Sequence, residues 1–283
     1  MMPTQSAHEM KTHDWSHPAT AFVPAGIPAG GVAQERARLR GDARGLTGST
    51  RVVTRADAAL ISRFRQAQYR RSPDLTLTDE SVLLWDEGDD LGIVLAVRAQ
   101  DGSFLSTMRA EPLLDAEGAA RALDCPVPIA GSVFPAMILG RGATREDCQH
   151  LGLNSLMRLH FLRIARQRGI RHVYGRVYGQ AARTNLMRSV GYTFFRHPKG
   201  AEVSAGTAGA DSELHVAVLD LEVHGESAAR FLEARASELL TRFPLVDQLN
   251  SRGFTAGELP RTTHLRQMSN HAPQLSGAWA LVM

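Results

Sequence analysis

Apolar residues recur along the central two-thirds of the chain with two periods, near 3.6 and near 2, and the alternation of these periods outlines a mixed fold. Over Arg55–Arg71, Ala59, Ile61, Phe64 and Ala67 fall at helical spacing, Thr54 offers an N-cap, and Ser72-Pro73 stops the run. Leu91–Ala99 is dense in apolar and β-branched residues. It runs into Gln100-Asp101-Gly102-Ser103, a hairpin signal, and Phe104–Ala110 leads back as its antiparallel partner. A short helix is expected over Asp115–Leu123, then a buried strand over Val133–Ala143 whose first residues Pro135 places at an edge or outside the sheet.

The second half repeats the alternation. Asn154–Arg168 keeps Leu156, Leu159, Phe161, Leu162 and Ala165 on one side and meets a stop at Gly169, so it reads as a helix. A strand over Arg171–Tyr178, a helix over Gln180–Ser189, a short strand after Gly191, a strand over Glu213–Leu221 and an amphipathic helix over Glu226–Phe243 follow. Residues 1–49 sustain neither period beyond a short helix near Gln34–Arg44, Gly200–Ala210 is a low-complexity loop, and the pattern fades beyond Pro244. The expected organisation is an N-terminal tail at 1–49, one domain at 50–245 and a C-terminal extension at 246–283.

Composition narrows the picture. The hydrophobic share of 43% in 283 residues is enough for a proper core, and 32 basic against 29 acidic residues leave +3, which demands no nucleic-acid partner. Cys125 and Cys148 have neither disulfide-framework nor metal-ligand spacing, so no metal and a reducing cytoplasm are expected. No apolar run reaches the roughly 18 residues of a membrane span.

The segment running from Gln149, His150, Leu151, Gly152, Leu153 and Asn154 into Ser155 carries the candidate chemistry. A turn that opens a helix leaves backbone N–H groups unpaired, and the local dipole favours an anion there; Gly152 keeps that backbone accessible and Asn154 would cap the helix. The hexapeptide resembles the Gln/Arg-x-x-Gly-x-Gly/Ala motif of the GNAT superfamily of N-acyltransferases, departing at its last position. Downstream, Leu186-Met187-Arg188-Ser189-Val190-Gly191-Tyr192 resembles that superfamily's second motif, with Met187 where many members have the tyrosine that protonates the leaving thiolate.

The resemblance implies an α/β (α+β) fold of the GNAT type, a single domain with a mostly antiparallel central sheet flanked by helices. It also implies an acyl-CoA or acyl-phosphopantetheine co-substrate at residues 149–155, with the pantetheine arm lying between splayed strands at Ala136–Ala143 and Arg171–Tyr178. Gly140 and Gly142 would permit a bulge there.

A narrower resemblance is to the N-acyl amino acid synthases and acyl-homoserine-lactone synthases, carried by Arg65 to Tyr69, the acidic run Trp85 to Asp90, and Arg109. On the fourth strand Arg141 fits their Glu-x-x-Arg pattern, but Ile138 stands at the glutamate. Arg109 and Arg141 read either as a pair for the carboxylate of an amino-acid acceptor or as ordinary salt-bridged or solvated arginines. Asp86, Glu87, Asp89 and Asp90 either include the proton acceptor or an ammonium site for the attacking amine or are solvated loop charges. Arg158, Arg163, Arg166, Arg168 and Arg171 read either as a solvated helix face or as a surface for an acyl carrier protein or coenzyme A phosphates. His160 reads as a packed or surface histidine and Cys148 as non-covalent. The expected function is transfer of an acyl group from acyl-CoA or acyl carrier protein to a small-molecule amine, such as an amino acid. The alternatives are an acetyl-CoA-dependent N-acetyltransferase and a non-catalytic binding protein of the same fold.

Overall fold

The hairpin at the centre of the sheet is set by its turn. Gly102 takes a positive φ of 83° and the Asp101 side chain accepts from Ser103 N at 2.8 Å, so β2 (Ile93–Ala99) returns as β3 (Phe104–Leu113). The computed structural model describes residues 45–71, 83–129, 131–132, 134–178, 182–198 and 214–246. The helix expected over 34–44, the loop over 200–210 and the chain beyond 246 lie outside these residues.

Among the described residues, seven strands make one mixed sheet in the order β1-β2-β3-β4-β5-β7-β6. They are β1 (Gly48–Val53), β2, β3, β4 (Ala136–Thr144), β5 (His172–Tyr178), β6 (Thr193–Arg196) and β7 (Leu214–Asp220). Every neighbouring pair is antiparallel except β4 and β5, which run parallel. This is the mostly antiparallel, helix-flanked sheet that the sequence led us to expect.

The helices are α1 (Ala58–Arg70), α2 (Glu87–Leu91), α3 (Ala116–Leu123), α4 (Leu153–Gln167), α5 (Ala182–Val190) and α6 (Leu221–Arg242). α4 and α6 cover one face. Leu156, Phe161 and Leu162 of α4 and Leu232, Ala236 and Leu239 of α6 pack with Leu95, Met108, Met137, Val173 and Leu219 of the sheet. A fully buried side chain such as Phe161 contributes about 2–3 kcal/mol. On the other face two smaller apolar patches form, Ile61 of α1 over Val53, Val94, Ala96 and Phe104, and Ala119 and Leu123 of α3 over Leu113, Tyr174 and Val218. Along β3, Arg109 and Glu111 lie between Phe104 and Leu113, residues of those two patches.

Several boundaries differ from the sequence reading, four of them with a clear physical reason or consequence. β1 begins at Gly48, inside the expected tail, and its Thr50, Val52 and Val53 are buried. Leu91, expected to open β2, instead ends a short helix over Glu87–Leu91, because Asp86 and Asp89 make a reciprocal capping box with each other's backbone. The helix expected from Asn154 starts one residue earlier, with Gly152 as its cap. α6 starts at Leu221, directly from β7, because the Asp220 side chain caps it through Glu222 N.

Candidate functional site

The parallel contact between β4 and β5 is short. Only Met137↔Val173 and Ile138↔Tyr174 are paired, and the strands run on to Thr144 and Tyr178 without pairing to each other. They therefore form a fork whose closed end lies at Ile138 and Tyr174. Past that point β4 is bulged: its register with β3 steps from Arg109↔Gly140 to Thr107↔Ala143, and Arg141 takes a φ of 51°. The bulge expected around Gly140 and Gly142 thus falls at Arg141 and Gly142. Met187 is buried in α5, and its methyl group lies 3.4 Å from where a side chain on Gly175 would begin, just inside the fork.

At the open end, β4 passes through a 3-10 turn (Glu146–Cys148) into α4. A cavity of about 140 Å³ lies there, lined by Thr144, Cys148, Gln149, His150, Gly152, Leu153, Asn154, Ser155, Leu186 and Arg235. The backbone N–H groups of Leu153, Asn154 and Ser155 find no acceptor among the described residues, as the first turn of a helix requires. Six of the seven expected cradle residues line the cavity; Leu151 instead packs against the main core.

Gly152 is needed for a different reason from the one its position in the sequence suggests. Its φ is 93°, and a β-carbon there would stand 3.2 Å from the carbonyl oxygen of Arg235 and 3.3 Å from Leu239 Cδ1. The missing side chain makes room for α6. Asn154 does not cap the helix; its Oδ1 accepts from Arg158 Nε at 2.8 Å, which turns the side chain along α4.

Two cations lie by the cradle. Arg158 is 4% exposed and reaches Tyr192 Oη at 3.3 Å, while Arg235 lines the cavity from α6. Neither forms an ion pair with a carboxylate among the described residues. Three further arginines of the face read from the sequence are spent differently: Arg163 pairs with Glu233, Arg166 with Glu226, and Arg171 with Asp220 and Glu222. The basic face read from the sequence is therefore largely paired with acidic residues. Burial pushes the Cys148 thiol up to about 11, so it stays protonated and unreactive. His160 is buried outside the cavity, its Nε2 finds no partner among the described residues, and burial lowers its pKa to about 4.

Arg109, Arg141 and Asp86 come together on the opposite face of the sheet, in a cluster with Arg65, Asp89 and Glu111. Arg65 grips Asp89 with two 2.8 Å hydrogen bonds, both side chains fully buried. Arg141 donates to Asp89 Oδ2 at 2.8 Å and to Asp86, and Arg109 donates to Asp86 at 2.8 Å and to Glu111 Oε2 at 2.8 Å. Among the described residues, three guanidiniums thus face three carboxylates. Burial works against the charge on Asp89, but the hydrogen bonds and charge of Arg65, with Arg141 and Arg109, hold its carboxyl below the usual range. Arg141 is lowered to about 10, first by burial and then by Arg109.

Glu111 was not singled out from the sequence, nor was Arg235. Glu111 was legible in principle, since alternation puts it on the face of Arg109 two residues away. Arg235 belongs to a helix that reaches the cavity only through tertiary packing, and no local signal marks it.

No family model and no curated protein matches the chain. Solved structures similar to it include FeeM, an N-acyl amino acid synthase from uncultured soil microbes, at 15% identity over 66% of this chain and 98% of that one, TM-score 0.45. The CoA-dependent acyl-homoserine lactone synthase BjaI, with SAM and isopentyl-CoA, is similar at 15% identity over 71% of this chain and 91% of that one, TM-score 0.45. A putative phosphinothricin N-acetyltransferase is similar at 16% identity over 61% of this chain and 98% of that one, TM-score 0.43.

Proposed function

We propose that this chain is a GNAT-type N-acyltransferase that moves an acyl group from an acyl-CoA thioester to the amine of a small molecule. The observation that carries this reading is the row of unpaired amides at Leu153, Asn154 and Ser155, facing a cavity beside the fork of β4 and β5. A diphosphate at that helix end gains hydrogen bonds and the helix dipole, and Arg235 adds a cation. A thioester arm running from there into the fork brings its carbonyl toward the bulge of β4 and the charged cluster beyond.

Coenzyme A is the favoured donor over an acyl carrier protein, because Arg163 and Arg166 are already paired with α6 and offer an acidic protein surface little. Arg109, Arg141 and Asp86 belong to the acceptor end in this reading. Among the described residues their charges are matched within the cluster, and an acceptor carboxylate would dock there by displacing Asp86, whose side chain is one-third exposed.

The competing reading is a binding protein of the same fold, favoured by Met187, which leaves no phenol at the position resembling the general-acid tyrosine. Calorimetry with acetyl-CoA, a long-chain acyl-CoA and acyl carrier protein tests the donor. Release of free thiol with a panel of amines separates the readings: the enzyme releases thiol above background when amine is added, and a binding module does not. Failure of all three donors to bind refutes the acyltransferase reading.

A further inference from the structure

We infer that Glu111 is the proton acceptor for the attacking amine, an assignment that rests on the acyltransfer reading above. Glu111 is the cross-strand partner of Ile138, and Ile138 in turn pairs with Tyr174 at the closed end of the fork. Its side chain therefore stands one strand from the place where β4 and β5 part, on the face that carries the ion cluster. Adjacent strands are about 5 Å apart, within the reach of a glutamate.

The three carboxylates of the cluster are not equivalent. Asp89 is fully buried, and its two oxygens serve Arg65 and Arg141. Asp86 gives one oxygen to Arg109 and the Asp89 amide and the other to Arg141. Glu111 is bonded to Arg109 through Oε2 alone; its Oε1 has no partner among the described residues, and the side chain is 26% exposed. Of the three, it alone has both an unengaged oxygen and access to solvent. Burial, reinforced by Asp86 and Asp89 and opposed by Arg109 and Arg141, raises its pKa above the ordinary carboxylate value, which makes it a better base than a surface glutamate.

The proton and electron balance is simple. Glu111 takes one proton from the acceptor ammonium, and the freed nitrogen lone pair forms the C–N bond at the thioester carbonyl while the C=O π pair moves onto oxygen. On collapse that pair re-forms C=O, the C–S bond breaks and its electrons leave on sulfur. The thiolate takes the second proton from the nitrogen, and Glu111 returns the first to water. No phenol is required, in keeping with Met187.

The test compares the full-length protein with Glu111→Gln, which keeps the hydrogen bond to Arg109. Decanoyl-CoA binding is followed by calorimetry, and thiol release is followed with the twenty amino acids and, separately, with hydroxylamine, which is unprotonated at neutral pH. The expected result is unchanged donor binding, turnover with an amino acid lowered about 100-fold or more, and turnover with hydroxylamine within a few-fold of the parent. The acid limb of the kcat/KM profile, present in the parent above the usual carboxylate range, disappears in the variant. Equal loss with both nucleophiles, or activity retained within about threefold, overturns the assignment while leaving the acyltransfer reading intact. A parent protein that binds donor yet acylates none of these nucleophiles overturns both.

Discussion

At the scale of single residues, the buried charges make the sharpest predictions. Asp89 compensates Arg65, which has no exposed surface, and also bonds Arg141. Asp89→Asn removes that charge while keeping the shape, and leaves an uncompensated guanidinium in the interior. A loss of about 3–5 kcal/mol is expected in urea unfolding. His160 predicts a pH dependence. It is neutral in the fold, with a pKa near 4, whereas the unfolded chain takes up the proton near 6.5. The unfolded state therefore binds more protons between those values, so stability is full above pH 7 and falls by up to about 3 kcal/mol as pH drops toward 4. His160→Leu flattens that slope, as thermal unfolding between pH 4 and 7 would show; an unchanged slope removes His160 as its cause.

At the scale of elements, the start of α4 is where sequence and structure agree in place and differ in reason. The turn at Gln149–Ser155 was legible because a glycine after a polar stretch precedes a strong helical period. What the glycine is for was not legible, because α6 packs against it from more than 80 residues away in sequence. Gly152→Ala forces a β-carbon into a left-handed backbone and against Arg235 O. It is expected to cost about 1–2 kcal/mol of stability and to weaken coenzyme A binding by tilting the free amides; calorimetry and unfolding on the same sample check both. The acidic run Trp85–Asp90 shows the opposite limit. Its carboxylates could be located from sequence, but their capture by Arg65, Arg109 and Arg141 depends on three elements meeting across the sheet. For the same reason the sequence marks Arg109 and Arg141 as candidates but does not show that they are already paired with carboxylates.

At the scale of the whole molecule, the ends of the described chain close on each other. Thr50 accepts from Val246 N and donates to Pro244 O, both at 2.9 Å, its hydroxyl donates to Phe243 O at 3.0 Å, and Arg242 Nε donates to Leu46 O at 2.8 Å. Such a closure was invisible in sequence, because β1 is six residues long with only two consecutive valines and offers no alternation to read. We propose that the domain runs from about residue 45 to 246, five residues earlier at its start than the apolar pattern suggested. A chain ending at Val246 is expected to match the full chain in its urea midpoint. One ending at Arg242 loses the buried Phe243 and is expected to be less stable by about 3–5 kcal/mol.

The most direct measurement is an amide-resolved NMR titration of the protein with coenzyme A. The account predicts that the backbone N–H signals of Leu153, Asn154 and Ser155 shift strongly and saturably as the diphosphate seats on the start of α4. If those three signals stay in place while the ligand binds elsewhere, or if no signal moves at millimolar coenzyme A, the cradle is not a donor site and the account is wrong.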